Sequence, residues 1–454
     1  MRTCLLGIVM LMLWILPAPA LSAEASEETK EPADGRDHLP PVEASGTNGG
    51  VSYAGSREEG FRLTVDGEPF LIKGAGYMYP FDMDLIRESG GNTIRTWASM
   101  IDGNSDYLGR ILDDADAAGL KVIAGLWVPH QRHGFSYGNS RAVAERLEMF
   151  RQTVIRYRGH PALLMWGIGN EYTIGMTDSR VFDFVNRTAE MIHRECPGTP
   201  TLTVLPAGDV NEEMLRTLDL RMKEVDILGV NAYGSLPFFL ERMETLSWDK
   251  PVIVTEWGHD GYWEVPRTSW GAPLEQPSGV KQRLYLERYA LMEEKPWILG
   301  SCVFYWGWKQ ERTHTFFNLL TQEGIPTENV DALQYLWTGE WPENRAPHVT
   351  GIRLEDGGSS ETLHRGERCV FRVEASDPEG DALEYHWEIY PESDARSTGG
   401  DFEESLEALW ERDTAGAEAE IPMPGRRGAY RVFVTVTDSR SGRVGYANFP
   451  VRVR

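Results

Sequence analysis

From Phe61 onward, short apolar runs alternate with stretches in which apolar residues recur every three or four positions. A brief apolar run bounded by turn residues reads as a buried strand, and the three-to-four spacing reads as one face of a helix. Val143, Leu147, Phe150, Val154 and Tyr157 share such a face, and the pattern stops near Gly159. Further helices are predicted at 84–88, 106–118, 178–195, 212–219, 237–246, 280–293 and 330–337. Eight runs read as inner strands, around Leu71, Ile94, Val122, Leu164, Thr203, Leu228, Val252 and Val303. Phe61 to Val65 alternates, Asp66-Gly67 marks a hairpin turn, and Pro69 to Lys73 is the short strand counted as the first of the eight.

Strands alternating with helices imply right-handed parallel crossovers. Eight such units over about 280 residues suit a TIM barrel, for which about 250 is typical. A doubly wound sheet is the other candidate, but it needs a phosphate-binding glycine loop, and Gly74-Ala75-Gly76-Tyr77 lacks the third glycine. After Pro342 the grammar changes. Val370 to Glu374, Leu383 to Ile389 and Tyr430 to Thr437 alternate between turn signals with few helical stretches, which predicts a β-sandwich. The expected fold class is therefore α/β: a (β/α)8 TIM barrel over 59–343, then a small all-β sandwich over 347–454. Asp377 to Asp381 reads as an acidic turn rather than a calcium loop, because no full ligand set follows.

The N-terminus changes the picture of location. Arg2, an apolar run from Leu5 to Ile15 and small residues up to Ala23 read as a signal peptide over 1–23. The run is too short for a span of about 20 residues. A secreted or periplasmic protein is expected, with no stable membrane insertion after cleavage. Residues 24–58 are acidic, rich in Pro, Gly, Ser and Ala, and read as a disordered linker. Past the leader, Cys196, Cys302 and Cys369 remain; their odd number and spacing suggest neither a disulfide framework nor a zinc site.

Lys plus Arg total 45 against 69 Asp plus Glu, a formal charge of −24, which repels phosphate backbones and excludes nucleic acid as a partner. The 15 Trp are more than half core, and the surplus fits stacking on sugar rings. No HExxH or Cys/His cluster implies a metal, and no cofactor is expected. The expected partner is an oligo- or polysaccharide; oligomeric state is not legible.

The chemistry lies at strand ends. Leu163 to Ile168 is apolar and runs through Gly169 into Asn170-Glu171; Pro251 to Thr255 runs into Glu256-Trp257. Barrel enzymes keep their catalytic groups at the C-terminal ends of strands. Two carboxylates presented there suit glycoside hydrolysis, in which one group protonates the leaving oxygen and another attacks or stabilises the anomeric carbon. Arg95, at another strand end, is placed to hold Glu256 ionised, and Tyr233 to donate to it. Asn170 is placed to meet a sugar 2-hydroxyl, and Trp306 to floor the sugar site. Trp97 is expected as a further substrate-binding residue, and His130, Trp257 and Trp263 as substrate contacts at the rim.

Asn92-Thr93-Ile94-Arg95, Trp166-Gly167-Ile168-Gly169-Asn170-Glu171, Val230-Asn231-Ala232-Tyr233, Thr255-Glu256-Trp257-Gly258 and Phe304-Tyr305-Trp306 resemble clan A retaining glycosidases. The closest likeness is to the TIM-barrel domain of glycoside hydrolase family 2, over about 61–339. That resemblance implies Glu171 as acid/base and Glu256 as nucleophile in a double displacement on a β-linked glycan. Family 2 enzymes usually carry N-terminal β-domains that shape the pocket; a linker stands there instead, so substrate preference does not carry over. The Asn92–Arg95 stretch is also similar to β-1,3-glucanosyltransferases, which keeps transglycosylation as an alternative. A non-catalytic carbohydrate-binding surface protein is another. Asp377 to Asp381, Trp387 and Val434 to Asp438 resemble a PKD-like or cadherin-like module.

Overall fold

The computed structural model describes residues 50–99, 106–355, 362–396 and 400–454. The expected signal peptide and most of the expected linker lie outside the described residues.

The chain opens with an antiparallel sheet of β1 (Ser52–Ser56), β2 (Gly60–Val65) and β3 (Glu68–Pro69). Strand β1 corrects the expectation of disorder up to residue 58. Its Ser-Tyr-Ala-Gly-Ser sequence carries no apolar rhythm, and it is ordered by backbone pairing, from Ser52 opposite Thr64 to Ser56 opposite Gly60. The sheet packs beneath the barrel. Phe61 N donates to Pro296 O at 2.8 Å and Tyr53 Oη to Asp226 at 3.2 Å, both just before the start of a barrel strand.

The barrel alternates β4 (Ile72–Tyr77), α1 (Asp84–Glu88), β5 (Thr93–Arg95), α2 (Tyr107–Ala117), β6 (Lys121–Leu126), α3 (Ser140–Tyr157), β7 (Leu163–Ile168) and α4 (Arg180–Glu195). It continues with β8 (Thr201–Pro206), α5 (Glu212–Arg221), β9 (Ile227–Asn231), α6 (Leu236–Thr245), β10 (Val252–Trp257), α7 (Ser278–Glu293), β11 (Ile298–Trp306) and α8 (Glu328–Thr338). Strands β4 to β11 pair in chain order, all parallel, and β11 returns to β4, closing the ring. Covered on both faces, these strands need apolar residues throughout rather than alternation; β7 and β10 are buried at every position. The first barrel strand begins at Ile72, not Pro69, and runs through the glycines that read as its end. Those glycines are packing residues: a Cβ on Gly74 would lie 2.8 Å from the Cys302 sulfur.

The C-terminal part is a two-sheet β-sandwich. One sheet joins β12 (His348–Leu354), β13 (Arg368–Ser376) and β16 (Glu418–Pro422); the other joins β14 (Leu383–Pro391), β15 (Trp410–Thr414), β17 (Gly428–Asp438) and β18 (Val444–Val453). Phe371 and Val373 from the first sheet share a core with Trp387, Val432 and Val434 from the second. Asp377 Oδ1 accepts from the backbone N of Glu379 and Asp381 at 2.9 and 2.8 Å, so this carboxylate closes the turn.

The sandwich docks on the barrel through buried polar groups. The Lys281–Glu275 pair, at 2.6 Å with both side chains fully buried, sits at the centre. Lys281 also donates to the carbonyls of Thr315 and Phe316, while Glu275 accepts from Thr313 and, across the interface, from Asn448 at 2.6 Å. Tyr446 Oη lies 3.3 Å from Lys281 Nζ. Glu328 of α8 accepts from Ser278 and from Val349 N at 3.1 Å. Removing one partner of such a pair leaves a buried charge uncompensated. Lys281→Met is expected to cost about 3–5 kcal/mol, read as a lower urea midpoint. An unchanged midpoint would show that this network does not hold the two parts together.

Candidate active site

At the C-terminal ends of the barrel strands lies a cleft of about 620 Å³, lined by Trp97, Asn170, Glu171, Tyr233, Glu256 and Trp263 among others. Strand β10 delivers Glu256 inward, and alternation sends its neighbour Trp257 the other way. Trp257 is fully buried against Tyr285 and Tyr289 of α7, with ring centroids 5.3 and 5.7 Å apart, so it is no rim contact.

Alternation would separate Asn170 from Glu171 in the same manner, yet both line the cleft. The strand has ended at Ile168, Gly169 takes φ +75° and Glu171 takes φ +48°. The left-handed region costs a non-glycine residue on the order of 1 kcal/mol or more and persists only where the surroundings impose it. A Cβ on Gly169 would lie 2.8 Å from Tyr172 and 2.9 Å from Val128, so the turn admits no side chain there.

Glu256 is gripped by three side chains. Oε1 accepts from Arg95 Nη1 at 2.9 Å and from Trp97 Nε1 at 2.7 Å; Oε2 accepts from Tyr233 Oη at 2.8 Å. Arg95 ends β5 and Trp97 follows two positions later on the same face. The indole reaches across the mouth over Gly76, where a Cβ would meet it at 2.8 Å. Arg95 Nη2 donates to Asn170 Oδ1 at 2.7 Å, and Asn231 Nδ2 reaches both Asn170 Oδ1 and Glu171 Oε1 at 3.0 Å. Thr255 Oγ1 donates to Asn231 Oδ1 at 2.8 Å, which fixes that amide's orientation. With Asn170 Oδ1 occupied by two donors, its Nδ2 is the end left to meet a ligand.

Burial pushes Glu171 up to about 8, reinforced by the nearby Glu256 carboxylate, while the Asn231 bond and Arg95 oppose it. The two carboxyls thus differ in surroundings: one is held in a cage of donors that includes a guanidinium, the other is kept protonated near neutral pH. Burial, with Glu256 beside it, also raises Tyr233 well above its ordinary value, keeping it a donor.

Two further expectations are corrected. Trp306 does not floor the cleft: it is fully buried and its Nε1 donates to Asp82 O at 3.0 Å. Phe304 and Tyr305 line the cleft in its place. His130 is 2 % exposed and turned to the backbone, not to the rim. Its Nδ1 accepts from Arg132 Nε at 3.2 Å, so Nε2 carries the proton given to Asn170 O at 2.7 Å. Burial lowers it to about 4, keeping the ring neutral. Trp263 does line the cleft and is 48 % exposed. Its loop is fixed by Glu264, which accepts from Gly234 N, Ser235 N and Gly261 N at 2.7–2.9 Å.

Residues not singled out from sequence also line the cleft: Met78, Lys309, Glu311, Gly400 and Asp401. Lys309 and Glu311 form an ion pair, and charges directly after a barrel strand were a usable signal. Gly400 and Asp401 come from the sandwich and carried no signal. Asn231 lay in view within its strand, but its bond to Glu171 was not. Among the described residues, one group with metal-ligand atoms in reach, His386, Glu388 and Glu411, lies on the sandwich, away from the cleft.

No protein-family model matches the chain. It is 23 % identical over 278 residues to a β-glucuronidase of Rattus norvegicus, covering 54 % of this chain and 39 % of that protein. A β-glucuronidase of Paenibacillus borealis is 22 % identical over 314 residues, covering 60 % and 47 %. The chain thus matches less than half the length of these relatives. Among solved structures, a Bacteroides uniformis β-glucuronidase aligns with TM-score 0.47 at 15 % identity, over 89 % of this chain and 48 % of that one. The exo-β-1,4-mannosidase Op5Man5 of an Opitutaceae bacterium aligns with TM-score 0.44 at 16 % identity, over 61 % and 60 %.

Proposed function

We propose that the protein is a secreted or periplasmic retaining glycosidase that cleaves β-linked glycans by double displacement. The observation that carries this reading is the pairing in one cleft of a raised-pKa carboxyl, Glu171, with a carboxylate held by Arg95, Trp97 and Tyr233. Protonated Glu171 gives its proton to the glycosidic oxygen as the bond to the anomeric carbon breaks. Glu256 attacks that carbon and forms a glycosyl ester. Glu171, now a carboxylate, takes a proton from water, and the water oxygen displaces Glu256. The Arg95, Trp97 and Tyr233 donors orient the attacking carboxylate and take it back as leaving group. Asn170 Nδ2 is the donor for the sugar 2-hydroxyl, a contact that strengthens in the transition state. The sequence similarity to β-glucuronidases supports a β-linkage.

Following an aryl β-glycoside by NMR tests the reaction. The first-formed free sugar is expected as the β-anomer, since two displacements restore the configuration. An α-anomer as first product would mean a single displacement and would remove Glu256 from its role as nucleophile.

A further inference from the structure

Two residues that wall the cleft, Gly400 and Asp401, belong to the sandwich, in its connection between β14 and β15. Described residues of this connection are fastened to the barrel. Glu403, nearly inaccessible, accepts from the backbone N of Arg312 at 2.8 Å, and Arg312 donates to the Ala395 carbonyl while its guanidinium lies 4.6 Å over the Tyr262 ring. At its base Arg431 binds Glu392 at 2.6 Å and the barrel carbonyl of Pro273 at 2.9 Å.

Asp401 itself is held by the loop after β6. Arg132 Nη1 lies 2.6 Å from Oδ2 and His133 Nε2 3.4 Å from Oδ1. The same Arg132 donates to His130, which donates to Asn170 O, the carbonyl preceding Glu171. The sandwich carboxylate is thereby tied, through two side chains, to the turn that presents the acid. Asp401 lines the cleft, and the two oxygens of a carboxylate have about four acceptor positions between them.

Charge narrows what the cleft can take. Among its described lining, Glu171 is held protonated, Glu311 is paired with Lys309, and Glu256 and Asp401 remain as carboxylates. Lys309 is paired with Glu311 and lies 4.7 Å over the Phe304 ring. A sugar bearing its own carboxylate would meet Glu256 and Asp401, each already holding a guanidinium, and would have to displace Glu311 to reach the lysine. Sugar hydroxyls instead find acceptors in Asp401 and aromatic faces in Trp127 and Trp263.

We propose that Asp401 is a substrate-binding residue that accepts hydroxyls of a neutral sugar, so that the C-terminal sandwich forms part of the cleft and selects neutral glycosides over uronides. This inference rests on the glycosidase reading above. Its test uses the full chain with 4-nitrophenyl β-glucoside, β-galactoside, β-mannoside and β-glucuronide, in wild type, D401N, D401A and E256A. The best neutral glycoside is expected to exceed the glucuronide in kcat/KM by about 100-fold, as like charges at short range imply. D401A is expected to raise KM for it about 10-fold or more, the worth of a hydrogen bond to a charged group. D401N keeps an acceptor oxygen and is expected to recover part of that loss while discriminating less against the glucuronide. A preference for the glucuronide, or a KM in D401A within about twofold of wild type, would overturn the proposal. Turnover retained in E256A would instead overturn the catalytic reading, whatever Asp401 does. Calorimetric titration of the same glycosides into E256A and E256A/D401A reads the Asp401 contribution to binding even if no aryl glycoside is turned over: equal affinities in the two proteins would overturn it.

Discussion

Glu256→Ala is expected to lower kcat/KM on an activated aryl β-glycoside by a factor on the order of 10^4 to 10^6, the range seen when a nucleophile is removed from a preorganised site. The substitution deletes the attacking atom and strands its donors. Arg95, Trp97 and Tyr233 all point at the lost carboxylate, at 2.7–2.9 Å. In the proposed double displacement the space left faces the anomeric carbon from the side opposite the leaving group. A small anion such as azide can occupy it, and its attack inverts the centre once. Added azide is therefore expected to restore part of the turnover and to release an α-glycosyl azide. Unchanged turnover in E256A, or a β-glycosyl azide from it, would remove Glu256 from the nucleophile's place.

Glu171→Ala should behave differently, and the contrast separates the two roles. Loss of a positioned acid costs about 10^2 to 10^4 where the leaving group needs a proton, and much less where it does not. The expected pattern is a large fall in kcat/KM for an unactivated β-glycoside and a small one for a dinitrophenyl glycoside. Azide, attacking the glycosyl ester from the face that Glu171 guards, is expected to give the β-glycosyl azide. The pH profile carries the same assignment. Glu171 must be protonated to act as acid, and burial with the adjacent Glu256 puts it at about 8. Wild-type kcat/KM should thus fall as pH rises through about 8, and E171Q should lack that limb. Stability follows the same sign. A carboxyl raised in the folded state contributes fully below its unfolded pKa of about 4.3, and that contribution is lost as pH rises through about 8. E171Q should therefore gain in Tm over wild type as pH is taken from 5 to 8. A basic limb that persists in E171Q would assign the titration to another group.

The barrel was legible because its strands are apolar at nearly every position and its helices repeat at a helical period. Those patterns follow from being covered on both faces, and they need no knowledge of which strand meets which. The pair Glu171 and Glu256 was legible for the same reason: a polar residue closing an apolar run is expensive to bury, so its place at a strand end carries information. Arg95 and Tyr233 followed from the same logic, and the structure sets both on Glu256.

Other features depended on where side chains turn. Trp257 and Trp306 sit at strand ends as Glu256 does, but one faces α7 and the other the loop at Asp82. His130 lies in a rim loop and spends its proton on a backbone carbonyl. Strand β1 has no apolar pattern, because an edge strand is ordered by its neighbour's backbone rather than by its own side chains. Sequence by itself determined the barrel, the sandwich and the two carboxyls, since local pattern and burial cost are written residue by residue. Only the tertiary structure decided that Asp401 shares a cleft with Glu171. That contact comes from the docking of the sandwich through Glu275, Lys281 and Asn448, and a contact between distant segments leaves no periodicity in either one.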